Sequence, residues 1–429
     1  VTTTGITAIL GFAYWVAAAR MYPSAAVGTA AVSISAMGLG SLLSSFGASS
    51  AAVQRLPHRR AGGEWSATTT VALAVVGLAG LVAGLASWWV ITSVLHTSVL
   101  RSPEYGVALA LGVALTNMSS VLDAIWIVER QAETQLLTNT VMSLAKLGLL
   151  SLPVFRVGGA AGIQWSWTAS VAVAIALSMT LFARRHGYRP TLAKGSKEIK
   201  VMRHAMVGNY IVAVGASTPT YSVPVLVGTM VSLSQTAYFY SAWRVGSFFF
   251  VGSMAVSQAL FAEGSRNPRG AIHRARQALL VVEPLILVGT VALLLLGRSI
   301  LAAFGAQYEA HAVPLLLLLV LTAMPDVVNT TYLTLLRLER RFVQASCFMY
   351  GLAVLQITLT WLLVSRWGIT GAGAAWLFSE YTGVLAAVLD GMWHPGLFSR
   401  SAMLARSSIL SQASQSARPA VANPGKRSP

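Results

Sequence analysis

Charge is scarce in this sequence. Only 10% of its 429 residues are Asp, Glu, Lys or Arg, where a soluble chain carries about a quarter. That is too few to cover the two or three soluble domains the length alone would suggest. Acids are scarcest, 13 against 30 basic residues. The single cysteine, Cys347, excludes an intrachain disulfide and reads as apolar filler. No glycine-rich loop ends in Lys-Ser or Lys-Thr, so nucleotide hydrolysis is not the expected energy source. The seven histidines do not cluster with Cys or acids at ligand spacing, so neither metal nor cofactor is expected. An acidic pair on a sizeable loop, which glycosyl chemistry needs, is also missing. The chain reads as a non-enzyme.

Apolar residues fill the space. They make up 55% of the chain, and the mean hydropathy is +0.67. No Asp, Glu, Lys or Arg occurs between Arg20 and Arg55, between Glu64 and Arg101, or between Arg203 and Arg244. Uncharged apolar runs of about 18 residues or more read as membrane helices. Strict alternation is absent, which argues against a β-barrel. The expected fold is all-α and polytopic. Twelve spans are expected, at 5–20, 27–53, 67–92, 105–128, 133–155 and 162–183, then 205–227, 235–261, 277–297, 310–333, 342–365 and 370–392. Turn signals such as Tyr22-Pro23-Ser24 and Asn267-Pro268-Arg269-Gly270 separate them. The expected division is a six-helix bundle over 1–183, a basic cytoplasmic linker over 184–204, a second six-helix bundle over 205–392, and a disordered cytoplasmic tail over 393–429. No cleavable leader is expected at the start.

The basic residues orient the spans. With both termini in the cytoplasm, 23 Lys/Arg fall in inner loops and the tail, and five in outer loops. This is a positive-inside pattern, and it predicts a cytoplasmic (inner) membrane protein. It also accounts for the net charge of +17: the expected neighbour is anionic membrane lipid, not nucleic acid. The chain further reads as a duplication. Tyr105 and Asp123 recur 203 residues later as Tyr308 and Asp326. Glu129 recurs 210 residues later as Glu339, and Gly162 and Trp165 recur 211 later as Gly373 and Trp376. A seven-residue insertion is therefore expected between Asp326 and Glu339. Six spans per half keep both repeats in one orientation, a pattern of carriers with a cavity between two bundles.

Only Lys146 and Arg244 among the basic residues fall within spans, near their middles. Arg244, about nine residues into its span, lies roughly 14 Å deep. Charges at that depth face a cavity or a partner. One account is an anion site for a phosphate-bearing substrate; the plainer one is an ion pair locking helices, with Asp123, Asp326 or Glu380 as partner. Asn117, Asn209 and Gln235 are candidate polar contacts to the substrate, or simply helix–helix hydrogen bonds. Asp123, Asp326 and Glu380 are candidates for coupling or gating. So are Pro219 and Pro224, which can bend the seventh span or merely shape its packing. Gly80 and Gly84 form a small-residue pattern for close helix packing.

Three stretches carry a family resemblance. The first is Leu10-Gly11-Phe12-Ala13-Tyr14-Trp15 through Arg20, then Tyr22-Pro23-Ser24 and Val27-Gly28. The second is Tyr238 to Arg244, followed by Ser257 to Glu263. The third is Gly371-Ala372-Gly373, mirrored at Gly158 to Gly162. Together they make residues 5–392 similar to the polysaccharide-transporter branch of the multidrug/oligosaccharidyl-lipid/polysaccharide (MOP) exporter superfamily. The resemblance implies two six-helix bundles around a central, often cationic cavity. It also implies alternating-access flipping of polyprenyl-(pyro)phosphate-linked sugars for cell-surface polysaccharide synthesis. Partners would then be the lipid-linked glycan and the glycosyltransferases or polymerase of the same pathway. The two extra spans common in peptidoglycan-precursor flippases are not found in this sequence. Two alternatives stay open: a cation-coupled drug or metabolite exporter of the same superfamily, and a non-transporting scaffold for glycan-assembly enzymes. A hydrated cleft holding Arg244 would separate a carrier from a scaffold.

Overall fold

The computed structural model describes residues 2–49, 56, 63–94, 100–191, 195–248, 271–339 and 341–393; side chains in some of these stretches, 195–209 and 271–283 among them, lie outside the description. The elements are α1 (Thr2–Met21), α2 (Ser24–Ser44), α3 (Gly63–Trp89), α4 (Pro103–Val128), α5 (Ala132–Ser151), α6 (Gly159–His186) and α7 (Gly195–Met230). Then follow α8 (Leu233–Gly246), α9 (Ala271–Ala302), α10 (Ala306–Leu321), α11 (Ala323–Leu338), α12 (Phe342–Trp367) and α13 (Ile369–Trp393). No strand occurs among the described residues. Each of the twelve expected spans holds a helix, with α10 and α11 sharing the tenth. Among the described residues, seven helices are individually long and apolar enough to cross a bilayer, or eight when the bent α10–α11 pair counts as one. Leu78, Val82, Leu295, Val354 and Trp361 stand exposed on the outer faces, a surface that suits lipid rather than water. The chain is an all-α, multi-pass membrane protein.

Local chemistry sets the breaks. Ser102 accepts a hydrogen bond from the Glu104 amide at 3.2 Å and caps α4, with Pro103 at its first position. Leu152 is extended (φ −69°, ψ 139°), as a residue before proline must be, so α5 stops there. A one-turn helix, Pro153–Val157, then takes the end of the expected fifth span. Gly187 sits in the left-handed region (φ 61°) and ends α6. α7 starts at Gly195, so much of the expected linker is helical. α7 also runs unbroken through Pro219 and Pro224. The α10–α11 span bends by 40°. Pro325 has no N–H to give the Leu321 carbonyl, which places the bend at Thr322. The second part of the expected eighth span, the motif Ser257 to Glu263 and the tail from 394 lie outside the described residues.

The packing repeats every six spans. α1 packs on α5; α2 on α3, α4 and α6; α3 on α4; α4 on α5 and α6; α5 on α6. Six spans later, α7 packs on α12, α8 on α9, α10 and α13, and α9 on the α10–α11 span. That bent span packs on α12 and α13, and α12 on α13. The landmarks follow. Tyr105 and Tyr308 open their helices, while Glu129 (φ −74°, ψ 3°) and Glu339 (φ −79°, ψ 2°) cap theirs. The second copy is longer: two 16-residue helices joined at Thr322 replace one of 26 residues. The break at Thr322 precedes Asp326 and so does not mark the insertion expected between Asp326 and Glu339, a stretch that is continuous helix.

Small residues let helices touch. A β-carbon on Gly80 would lie 2.6 Å from Ala114 Cα, and one on Gly84 would lie 2.5 Å from Ala110 Cα, so α3 and α4 meet backbone to backbone. Between the halves, α2 packs on α7 and α8, α1 on α8, and α3 on α7. Gly28 of α2 abuts the Leu233 carbonyl of α8, leaving no room for a side chain. Ser24 donates to Ser234 Oγ at 2.9 Å beside it. At the same end, Arg20 donates to the Ala303 and Ala302 carbonyls at 2.8 and 2.9 Å, tying α1 to the terminus of α9. The two bundles are thus closed together at the end that carries the α1–α2 and α7–α8 turns.

Candidate functional site

Lys146 and Arg244 come together at the seam of the bundles. Lys146, on α5, is 5% exposed. Its ammonium lies 3.4 Å from the centre of the Trp167 ring on α6 and 5.6 Å from that of Tyr14 on α1. Tyr14 is fixed in turn: its hydroxyl donates to the Ile163 carbonyl at 3.0 Å and is 2.9 Å from Ser166 Oγ. Arg244 lies near the end of α8, whose start Ser232 caps by accepting from the Gln235 amide at 3.3 Å. The guanidinium carbon is 5.7 Å from the Tyr240 ring centre, one turn back on the same helix. It reaches across to α1, 3.9 Å from where a Gly11 β-carbon would stand. Arg244 of α8, with Ser247 and Phe248 just beyond its end, faces Thr7, Ala8, Gly11 and Phe12 of α1 across a cleft of about 120 Å³.

Neither cation forms an ion pair with an acid among the described residues. A chain of rings links the two: Lys146 lies over Trp167, Trp15 is 6.3 Å from Trp167 and 4.5 Å from Tyr240, and Arg244 adjoins Tyr240. Aromatic faces hold both, and such a contact with a desolvated cation offsets part of its desolvation, by about 2 kcal/mol or more. Two basic side chains thus meet at the seam without an acidic partner among the described residues, an arrangement that an anion would complement.

The expected alternative partners of Arg244 are engaged elsewhere. Asp123 accepts from Asn139 Nδ2 at 3.0 Å inside the first bundle. Glu380 Oε2 accepts from Asn329 Nδ2 at 2.7 Å inside the second, with Asp326 and Trp376 beside it. Asp326 and Glu380 thus form one acidic cluster, and Asp123 stands apart from it. Asn117 is saturated within the first bundle: its Oδ1 accepts from Ser41 at 2.6 Å, and its Nδ2 donates to Ser44 Oγ and the Val76 carbonyl at 2.8 and 3.3 Å. Gln235 is exposed in the first turn of α8, more than two turns from Arg244. Asn209 lies on α7, and its side chain is outside the described set. Pro219 and Pro224 are buried on α7. Sequence reasoning did not assign Tyr14, Trp15, Trp167 and Tyr240 to the site. The available signal was Tyr240, four residues before Arg244.

The helix order, the six-span repeat and the paired bundles give a fold shared with several solved membrane transporters. Among solved structures, an inward-facing multidrug resistance MATE family transporter of the MOP superfamily matches with TM-score 0.72 at 16% identity, covering 94% of this chain and 96% of the other. The lipid II flippase MurJ in an inward closed conformation matches with TM-score 0.70 at 14% identity, covering 91% and 86%. An outward-facing multidrug resistance MATE family transporter matches less well, with TM-score 0.59 at 15% identity, covering 92% and 94%. No family model and no curated protein sequence matches the chain.

Proposed function

We propose that the chain is an alternating-access flippase that moves a polyprenyl-(pyro)phosphate-linked sugar or oligosaccharide across the cytoplasmic membrane for cell-surface polysaccharide synthesis. The observation that carries this reading is the pair Lys146 and Arg244, one from each bundle, neither paired with an acid among the described residues. A phosphate head must cross the membrane at that depth, and guanidinium–phosphate pairing is its complement. In the proposed cycle, both termini are cytoplasmic and the closed end faces outward, so the cleft between α1 and α8 admits the head group from inside. Bundles 1–183 and 205–392 then rock about the α2–α8 contact. Asp326 and Glu380 make up the coupling site, where a proton or cation biases the second bundle. Pathway glycosyltransferases or the polymerase would supply or consume the glycan. The fold shared with multidrug transporters supports an exporter as the second reading, but a centre of two cations opposes a cationic solute.

Reconstitution separates the two readings. The purified chain in proteoliposomes is expected to translocate a fluorescent polyprenyl-diphosphate sugar and to leave a cationic dye where it is. Dye transport without lipid flipping would overturn the proposal in favour of the exporter.

A further inference from the structure

Trp15 is an anomaly among the buried tryptophans. It is 1% exposed, and its indole nitrogen has no hydrogen-bond partner among the described residues. Trp65, Trp88 and Trp126 give theirs to Glu129, the Leu100 carbonyl and Ser178, at 2.9, 2.8 and 3.4 Å. A buried donor left without an acceptor is costly and calls for a reason. Position supplies one. The Trp15 ring centre is 6.3 Å from Trp167, whose face carries the Lys146 ammonium, and 4.5 Å from Tyr240, whose ring adjoins the Arg244 guanidinium. Trp15 therefore stands between the two cations. Its contact with Tyr240 also crosses from the first bundle to the second.

We infer that the indole N–H of Trp15 is a third anion-binding group of the site, donating to a phosphoryl oxygen of the substrate alongside Lys146 and Arg244. The inference rests on the phosphate reading above. Phosphoryl oxygens only accept, and an indole N–H only donates, so the match is one-directional. In this conformation the Tyr240 ring packs against Trp15 at 4.5 Å, tilted by 58°, and the donor is buried. Separation of α1 from α8 parts the stack and frees the N–H for the head group. Substrate binding would satisfy a donor that no described residue accepts from.

The test uses the full chain in nanodiscs, with farnesyl diphosphate as the probe and calorimetric affinity as the readout. Replacing Trp15 by its benzothiophene analogue keeps ring size and stacking but removes the N–H. Affinity is expected to fall about 10-fold, the scale of one hydrogen bond to a charged group, with thermal stability unchanged. Trp15→Phe, which loses both N–H and ring area, should bind at least as weakly as the analogue. An analogue that binds like the parent chain, while Arg244→Ala loses affinity, overturns the role of Trp15 and leaves the phosphate site standing. A weakened analogue together with an unaffected Arg244→Ala upholds the donor and removes Arg244 from the site.

Discussion

Replacing Arg244 by Lys keeps a positive charge on α8 and removes the planar fork. An arginine can meet a phosphate with two parallel N–H donors, and each charge-assisted hydrogen bond contributes about 1.5–3 kcal/mol. Losing one of the two should slow flipping by about 10-fold or more, and Arg244→Ala should lose at least a further factor of about 10. The fold should tolerate both. Among the described residues Arg244 has no acidic partner to strand, and its ring contact, 5.7 Å from Tyr240, contributes about 0.5–1 kcal/mol at a partly exposed site. The assay is initial-rate flipping of a fluorescent polyprenyl-diphosphate sugar in proteoliposomes, with thermal unfolding in detergent as the control. Wild-type flipping by a well-expressed Arg244→Ala variant would refute the reasoning. Loss of the folded protein in that variant would instead point to an ion pair that the described residues do not contain.

Lys146→Met replaces a buried ammonium with an apolar chain of similar length; stability should stay within about 1 kcal/mol of the parent or rise, while flipping falls, as read by thermal unfolding and the same proteoliposomes. Gly28→Val would drive side-chain atoms into the Leu233 carbonyl, so the bundles should part at that end; spin labels at positions 24 and 234 would report a longer distance, and an unchanged distance would count against closure there. For topology, single cysteines at 190 and 410 in a Cys347→Ser background should resist an impermeant thiol reagent added to intact cells, and outside labelling of either site would reverse the orientation.

The spans were legible because lipid imposes one rule, that every backbone polar group be satisfied inside its own helix. Uncharged runs therefore marked helices from α1 to α13. The repeat was legible because Tyr105 and Glu129, like Tyr308 and Glu339, sit at helix starts and caps, where spacing is fixed by geometry. The break of the fifth span at Leu152-Pro153 was harder, since proline opens a helix as readily as it kinks one. The site was half legible. Lys146 and Arg244 announced themselves by depth alone. The rings that hold them did not, because an aromatic in an apolar run looks the same whether it faces lipid or a cation. Asn117 shows the opposite difficulty: its type suggested a substrate contact, and only its neighbours Ser41 and Ser44 reveal that its capacity is taken up within its own bundle.

The insertion in the tenth span carries an evolutionary consequence. Seven residues advance a helix by two revolutions short of about 20°, so a strip of side chains beyond the insertion returns almost to its former compass bearing. Glu339 can thus occupy the counterpart of the Glu129 position although the span between them was lengthened. An insertion of five residues would have turned the same strip to the opposite side, carrying its polar groups into lipid. Length variation among descendants of the duplicated ancestor should accordingly come in steps of three or four, seven, or eleven residues within helices, and be free only in the turns.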